Sequence, residues 1–328
     1  MSDVLAIGGT RFIGRATVEE FLNHGYEVTL FNRGNHPNPF ASDDRVAHIA
    51  GDRTNADALE EAHDAVSPDI VVDCVAYSPD EVETALDMFD SVDAYVFVSS
   101  VAAYVDDPVV KYEGETALKP CTPAQAVDDS WETYGERKAE ADRIILDAAD
   151  RGIPAMTVRP SMVYGPHDYN GTLDYWIGRV REYERLVVPG DGSYIGHRTF
   201  VEDVGAAMRL IAEKGAPGAY NVADRQPQSI NQMVETIAAV LDTDCEIVHA
   251  ADQDLAAHGL DRSDFPYHRR RDPFILSTDK LRRLGWEPTT NEDAIGRTCA
   301  HLDGQEINST RGPSREEVDA LLASLSPV

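Results

Sequence analysis

The 328 residues of the chain are enough for about two domains with sizeable cores, and 42% apolar and 8% aromatic residues exclude wholesale disorder. Acidic residues outnumber basic ones by 58 to 29, and the resulting charge of −29 repels polyanions, which argues against nucleic acid as a partner. No run approaches the roughly 18 to 20 apolar residues that span a bilayer, and residues 1–13 lack a basic start followed by a long apolar stretch. A cytoplasmic protein without a membrane partner is expected.

Short apolar runs predict strands at 3–7, 26–31, 46–50, 69–75 and 94–99. Between them, Ile13, Val18, Phe21 and Leu22 make one helical stripe, and Val82, Ala85, Leu86 and Phe89 make another. Strands alternating with helices predict an α/β fold with a doubly wound parallel sheet. A loop at 105–129 leads to a charged helix over about 131–150 and a strand at 155–158 that ends at Arg159-Pro160. Beyond it the alternation becomes irregular, with a helix near 173–184, a strand at 218–222 and helices at 230–241 and 278–284. The expected division is a first domain over 1–165 with 196–224 returning to it, and a second over 166–195 and 225–302. A linker and short terminal helix fill 303–328. Cys74, Cys121, Cys245 and Cys299 are scattered without CxxC spacing, so neither a disulfide frame nor a metal site is expected.

The first predicted strand runs directly into Gly8-Gly9-Thr10-Arg11-Phe12-Ile13-Gly14 and then a helix. Glycines there permit a tight turn and let backbone N–H groups approach a pyrophosphate, whose charge the helix N-terminus stabilises. Gly14 should allow close packing of helix on strand. The second strand ends in Phe31-Asn32-Arg33 with no carboxylate for a ribose 2′-hydroxyl. Arg33 and Arg11 would instead face a 2′-phosphate, which tilts the choice within NAD(P) slightly toward NADP; the bland alternative is a solvated surface charge. Asp52, after the third strand, would accept a hydrogen bond from the adenine amino group, or else cap the residues from Thr54 onward.

The fifth strand leads into Ser99-Ser100, and the next long helix contains Tyr134-Gly135-Glu136-Arg137-Lys138. Tyr134 and Lys138 are four residues apart and share one helix face, so an ammonium beside the phenol would favour its ionised form. Ser100 would donate a hydrogen bond to a reacting oxygen. The set Ser100, Tyr134 and Lys138 is the candidate catalytic machinery.

Taken in order, these features resemble the extended short-chain dehydrogenase/reductase, or NAD-dependent epimerase/dehydratase, family. The pieces are the glycine loop, Asp52, Ser100 four residues before Tyr104, the Tyr134 and Lys138 pair, Arg159-Pro160-Ser161-Met162-Val163-Tyr164-Gly165-Pro166, and Arg198-Thr199-Phe200-Val201-Glu202-Asp203-Val204. The resemblance implies a Rossmann sheet with a smaller, discontinuous C-terminal substrate domain. It implies that Arg53, Val75, Ala76, Pro160 and Val163 join the glycine loop at the cofactor, and that Tyr164 and Arg198 reach the substrate. The implied reaction is hydride transfer at a carbinol of a sugar or sugar nucleotide, as an oxidoreductase or epimerase, with a homodimer left open.

Two features depart from the usual pattern. Arg11 replaces the loop's middle glycine, and the wording GGTRFIG resembles a subgroup that includes the chloroplast stem-loop-binding proteins, some linked to RNA. The alternative reading is therefore a nucleotide-sensing or RNA-associated protein without chemistry, against which the intact Ser, Tyr and Lys set argues. Second, Val101-Ala102 stands where the family's dehydratases carry an Asp-Glu pair, which disfavours water elimination.

Among the remaining residues, His268-Arg269-Arg270-Arg271 is the one dense basic run. Arg269 or Arg271 would bind a phosphate or uronate of the substrate, or else pair with Asp261, Asp264 or Asp272. Trp131, Trp176 and Trp286 are expected in the core or in pocket walls, and of the three only Trp176, in the insert after Gly165, is a candidate substrate contact. Only five of the basic residues are lysines and 24 are arginines. With the acidic surplus, that bias resembles proteins of salt-loving microbes, in which concentrated salt screens the repulsion among carboxylates.

Overall fold

The computed structural model describes residues 3–268, 272–305, 307 and 311–325. The chain divides into two compact units. The first comprises 1–161, 201–223 and 276–287, and the second comprises 162–200, 224–275 and 288–328.

The first unit is built on seven parallel strands: β1 (Asp3–Ile7), β2 (Glu27–Asn32), β3 (Val46–Ala50), β4 (Ile70–Asp73), β5 (Ala94–Val98), β6 (Ala155–Pro160) and β7 (Gly218–Val222). Their order across the sheet is β7-β6-β5-β4-β1-β2-β3, every pair parallel. Strands β4, β5 and β6 are buried along their whole length, as unbroken apolar runs require when helices cover both faces. Its five longest helices are α1 (Phe12–Asn23), α2 (Ala56–Val66), α3 (Pro79–Met88), α4 (Tyr134–Asp150) and α5 (Val201–Lys214). The order of strands reverses between β1 and β4, and in open α/β sheets ligands bind at the carboxyl ends of the strands at such a switch point. The fold is thus the doubly wound Rossmann arrangement.

Helix α4 starts at Tyr134, three residues later than the periodicity predicts, because Trp131–Thr133 winds as a 3₁₀ turn. Segment 276–287, expected with the second domain, belongs to the first unit. It is tied there by Lys280 Nζ donating to the Ala219 carbonyl at 2.9 Å and Trp286 Nε1 donating to the Asp203 carbonyl at 3.3 Å.

In the second unit, the strands Arg185–Pro189 and Glu246–Ala250 pair in parallel, and helices Thr172–Glu182, Ile230–Val240 and Asn291–His301 accompany them. Its core includes Leu173, Trp176, Leu186, Met233 and Ile295. The last helix, Arg315–Leu325, is no appendage on a linker, because Val318, Leu321 and Leu322 are buried in that same core. Among the described residues, no helix is long and apolar enough to cross a membrane.

Candidate functional site

At the end of β1 the chain turns through two glycines in positive φ. The Gly8 amide donates to the Phe31 carbonyl at 2.9 Å, and its own carbonyl accepts from Asn32 Nδ2 at 3.1 Å. A side chain on Gly9 would meet Leu30 Cδ2 at 2.6 Å, and one on Gly14 would lie 2.8 Å from the Gly9 nitrogen. The loop therefore lies directly against the first turn of α1, whose cap residue Arg11 supplies no side-chain hydrogen bond to the helix. Those first-turn N–H groups and the macrodipole suit an anion. Thr10 and Ile13 are half-buried, whereas the Phe12 side chain is buried. Gly9, absent from the expected site, is required by this geometry; the Gly8-Gly9 doublet was its signal.

Around this loop the expected cofactor residues separate into two groups. Arg33 and Arg11 are exposed, and Arg11 Nη1 contacts His36 Nε2 at 3.2 Å. Asn32 Oδ1 accepts from the Gly34 amide. Asp52 Oδ1 accepts from the Thr54 amide and hydroxyl at 3.0 and 2.9 Å, while Asn55 is the residue that caps α2. Val75 packs on Gly8, where an added Cβ would meet Val75 Cγ1 at 2.9 Å. Arg53 is buried, and its guanidinium bonds Asp73 at 2.5 Å and approaches Glu81 at 3.5 Å. Ala76 and Pro160 are buried, at the ends of the segments that follow β4 and close β6.

The candidate catalytic set comes together in the first unit. Ser100 follows β5 and caps a 3₁₀ turn, its Oγ accepting from the Ala102 amide at 3.1 Å. A side chain on Gly135 would lie 2.5 Å from the Ala102 carbonyl oxygen, so glycine there lets the start of α4 approach that same turn. One turn on, Lys138 is buried and donates to the carbonyls of Ala76 at 2.7 Å and Val98 at 2.8 Å. Its Nζ lies 5.8 Å from the centre of the Tyr134 ring and 4.5 Å from that of Phe97. Burial pushes the Lys138 ammonium down to about 8, with Asp73, Asp142 and Glu81 opposing and Arg53 adding to the fall. Tyr134 is half-buried, and Trp131 stacks on it with ring centres 4.6 Å apart at 14°. Trp131 is 70% exposed.

In the second unit, two of the candidate substrate residues are buried. Tyr164 is only 2% exposed and packs on Phe200 in the second unit's core, because Val163–Tyr164 pairs as a strand with Thr199–Phe200 and turns the ring inward. Trp176 is fully buried in the same core, on the inner face of helix Thr172–Glu182. Val163, the strand's first residue, is half-buried. Arg198 is buried, donates to the Gln228 carbonyl at 3.2 Å and lies 5.3 Å from the centre of the Tyr267 ring. Arg269 and Arg271 lie outside the described residues.

The chain is 26% identical over 332 residues to the chloroplast stem-loop binding protein of 41 kDa b of Arabidopsis thaliana, covering 96% of this chain and 82% of that protein. It is 31% identical over 176 residues to a dTDP-glucose 4,6-dehydratase of Xanthomonas campestris, covering 50% of this chain and 47% of that enzyme. Among solved structures, a dTDP-glucose 4,6-dehydratase of Bacillus anthracis in complex with NAD superposes with a TM-score of 0.72 at 20% identity, covering 93% of this chain and 98% of that one. A UDP-glucose 4-epimerase of Thermotoga maritima gives 0.68 at 20% identity, covering 92% and 98%. The model of the NAD dependent epimerase/dehydratase family matches residues 4–223, and the chain belongs to that family.

Proposed function

We propose that this protein binds NAD(P) and transfers hydride at a carbinol of a sugar or sugar nucleotide, as an oxidoreductase or epimerase. The observation that carries the reading is the buried Lys138 ammonium beside Tyr134, on a helix start drawn against the Ser100 turn. The residues fit a dinucleotide: Gly9 and Gly14 keep side chains out of the turn, and the cap residue of α1, Arg11, makes no side-chain hydrogen bond to the helix's first turn. Gly8, Thr10, Ile13, Asp52 and Val75 would hold it, and when bound it would supply the hydride acceptor. Tyr134 takes the hydroxyl proton of the substrate, Ser100 orients that oxygen, and Lys138 keeps positive charge next to the phenol.

On the substrate side, Arg198 Nη1, Tyr267 Oη and His268 Nε2 are buried without a hydrogen-bond partner among the described residues. Such atoms suit a polar, phosphorylated ligand better than an apolar one. The exposed Arg33 and the lack of an acid at the end of β2 favour NADP modestly. The test is a panel of sugars and sugar nucleotides with NAD and NADP, with Tyr134→Phe beside the wild type. Turnover lost in the variant with cofactor affinity kept supports the reading, and full turnover in the variant refutes it.

One observation favours a second reading, since the stem-loop binding relative matches over 96% of this chain. Binding of a stem-loop RNA at molar KCl, unaltered in Tyr134→Phe, would favour it over catalysis.

A further inference from the structure

Segment 75–78, between β4 and α3, has its polar backbone groups taken from two sides. Asp73 Oδ1 accepts from the amides of Val75 and Ala76 at 3.1 and 3.0 Å, and Glu81 Oε2 accepts from those of Tyr77 and Ser78 at 2.6 and 3.0 Å. Four successive N–H groups thus end on two carboxylates, and one cation faces both. Arg53 Nη2 bonds Asp73 Oδ2 at 2.5 Å, and Arg53 Nη1 lies 3.5 Å from Glu81 Oε2. Tyr95 donates its hydroxyl to the same Asp73 oxygen at 2.9 Å. On the opposite side, the carbonyl of Ala76 accepts from Lys138 Nζ at 2.7 Å and that of Tyr77 from Arg137 at 2.7 Å.

A buried ion pair with ordinary packing would not need to be wired to backbone in this way. Removing either carboxylate frees two amides, and the carbonyl that receives the lysine belongs to a residue whose own amide one of those carboxylates holds. We propose that Arg53 and Asp73, with Glu81, are positioning residues for Lys138, fixing segment 75–78 so that the Ala76 carbonyl stays directed at the ammonium. The same clamp holds Val75 against Gly8, so it links the glycine loop to the lysine. The inference takes the role of Lys138 from the function proposed above.

The experiment follows the Lys138 side chain directly, by ¹⁵N-lysine NMR on the full chain without substrate or cofactor; only five lysines contribute. The ionisable groups bearing on Lys138 are Asp73, Asp142, Glu81 and Arg53 and the phenols of Tyr134 and Tyr77, with the thiol of Cys74, pushed up by burial to about 12, neutral beside them. In Asp73→Asn the amide oxygen can still accept hydrogen bonds, but the charge that most favours the ammonium is gone. The Lys138 midpoint is expected to move to lower pH, by about tenfold in proton concentration, and the amides of 75–78 to exchange faster. General loosening would move the midpoint the other way, because solvent relieves the burial that depresses it. An unmoved or raised midpoint, or a lowered midpoint with wild-type exchange at 75–78, in folded Asp73→Asn overturns the proposal.

Should that variant not fold, Arg53→Met/Asp73→Asn leaves neither member of the pair charged and is examined in its place. Faster exchange at 75–78 with NAD affinity weakened about tenfold supports the proposal, and wild-type protection there overturns it. A wild-type chain that turned over no substrate would defeat the proposed function but leave the titration and exchange results standing.

Discussion

Replacing Gly14 by alanine tests the geometry on which the cofactor loop depends. The new Cβ would lie 2.8 Å from the nitrogen and 3.0 Å from the Cα of Gly9, both backbone atoms that no rotamer change can remove. Normal contacts need about 3.5 to 4.0 Å, so α1 must retreat by several tenths of an ångström. Its far side is also blocked, since at Gly205 of α5 an added Cβ would already be 2.9 Å from the Ala16 carbonyl oxygen. Overpacking of this kind costs about 1–3 kcal/mol, and backbone on both sides points to the upper part of that range. The higher helix propensity of alanine returns about 1 kcal/mol. The net loss is about 1–2 kcal/mol, or roughly 3–6 °C in melting temperature for a unit of this size. Gly296, in helix Asn291–His301, is the control, because a Cβ there meets only Val240 Cγ1 at 3.9 Å, and Gly296→Ala should stabilise by about 0.5–1 kcal/mol. Thermal unfolding by circular dichroism and NAD titration by calorimetry decide the matter. A Gly14→Ala protein that melts at or above the wild-type temperature with unchanged NAD affinity would refute the reasoning.

Three further outcomes are expected. Asp142→Ala strips Arg159 of its 2.7 Å partner while the arginine stays buried, so unfolding in denaturant should show a loss of about 3–5 kcal/mol; a loss below about 1 kcal/mol would mean that water reaches the guanidinium. Burial holds the His268 imidazole down to about 4 from 6.5, so the unfolded chain binds the extra proton between those values and stability falls as pH drops from about 6.5 toward 4. His268→Phe should flatten that limb of the stability curve, and an identical slope in the variant would assign it elsewhere. Finally, melting temperature and activity should rise with KCl toward molar concentration as screening relieves repulsion in a chain of charge −29, and salt independence would remove that reading of the acidic surplus.

The first unit was largely legible because its central strands are buried on both faces and therefore appear as unbroken apolar runs, as Ile70–Asp73 and Ala94–Val98 do. The glycine loop and the Tyr134, Lys138 spacing are local, and local spacing survives folding. Contacts between distant residues did not show. Arg53 follows Asp52 and suggests a cofactor role, yet its partner Asp73 stands twenty positions on, in reach only after β4 takes its place in the sheet. Tyr164 and Trp176 look like pocket residues from their neighbours, and only the packing of strand and helix reveals that they face inward. Of the two places expected for Trp131, core or pocket wall, the core is excluded: the indole lies in the 3₁₀ turn before α4, exposed and stacked on Tyr134.

The path of the chain also bears on how the protein is made. Strand β6 ends at Pro160, but its outer neighbour β7 begins only at Gly218, and the stretch that completes the first unit closes at Glu287. During vectorial synthesis the edge of β6 must wait unpaired while the segment 162–200, which belongs to the other unit, is extruded. A ribosome-stalled chain ending before residue 218 would present that bare edge to chaperones and to other nascent chains.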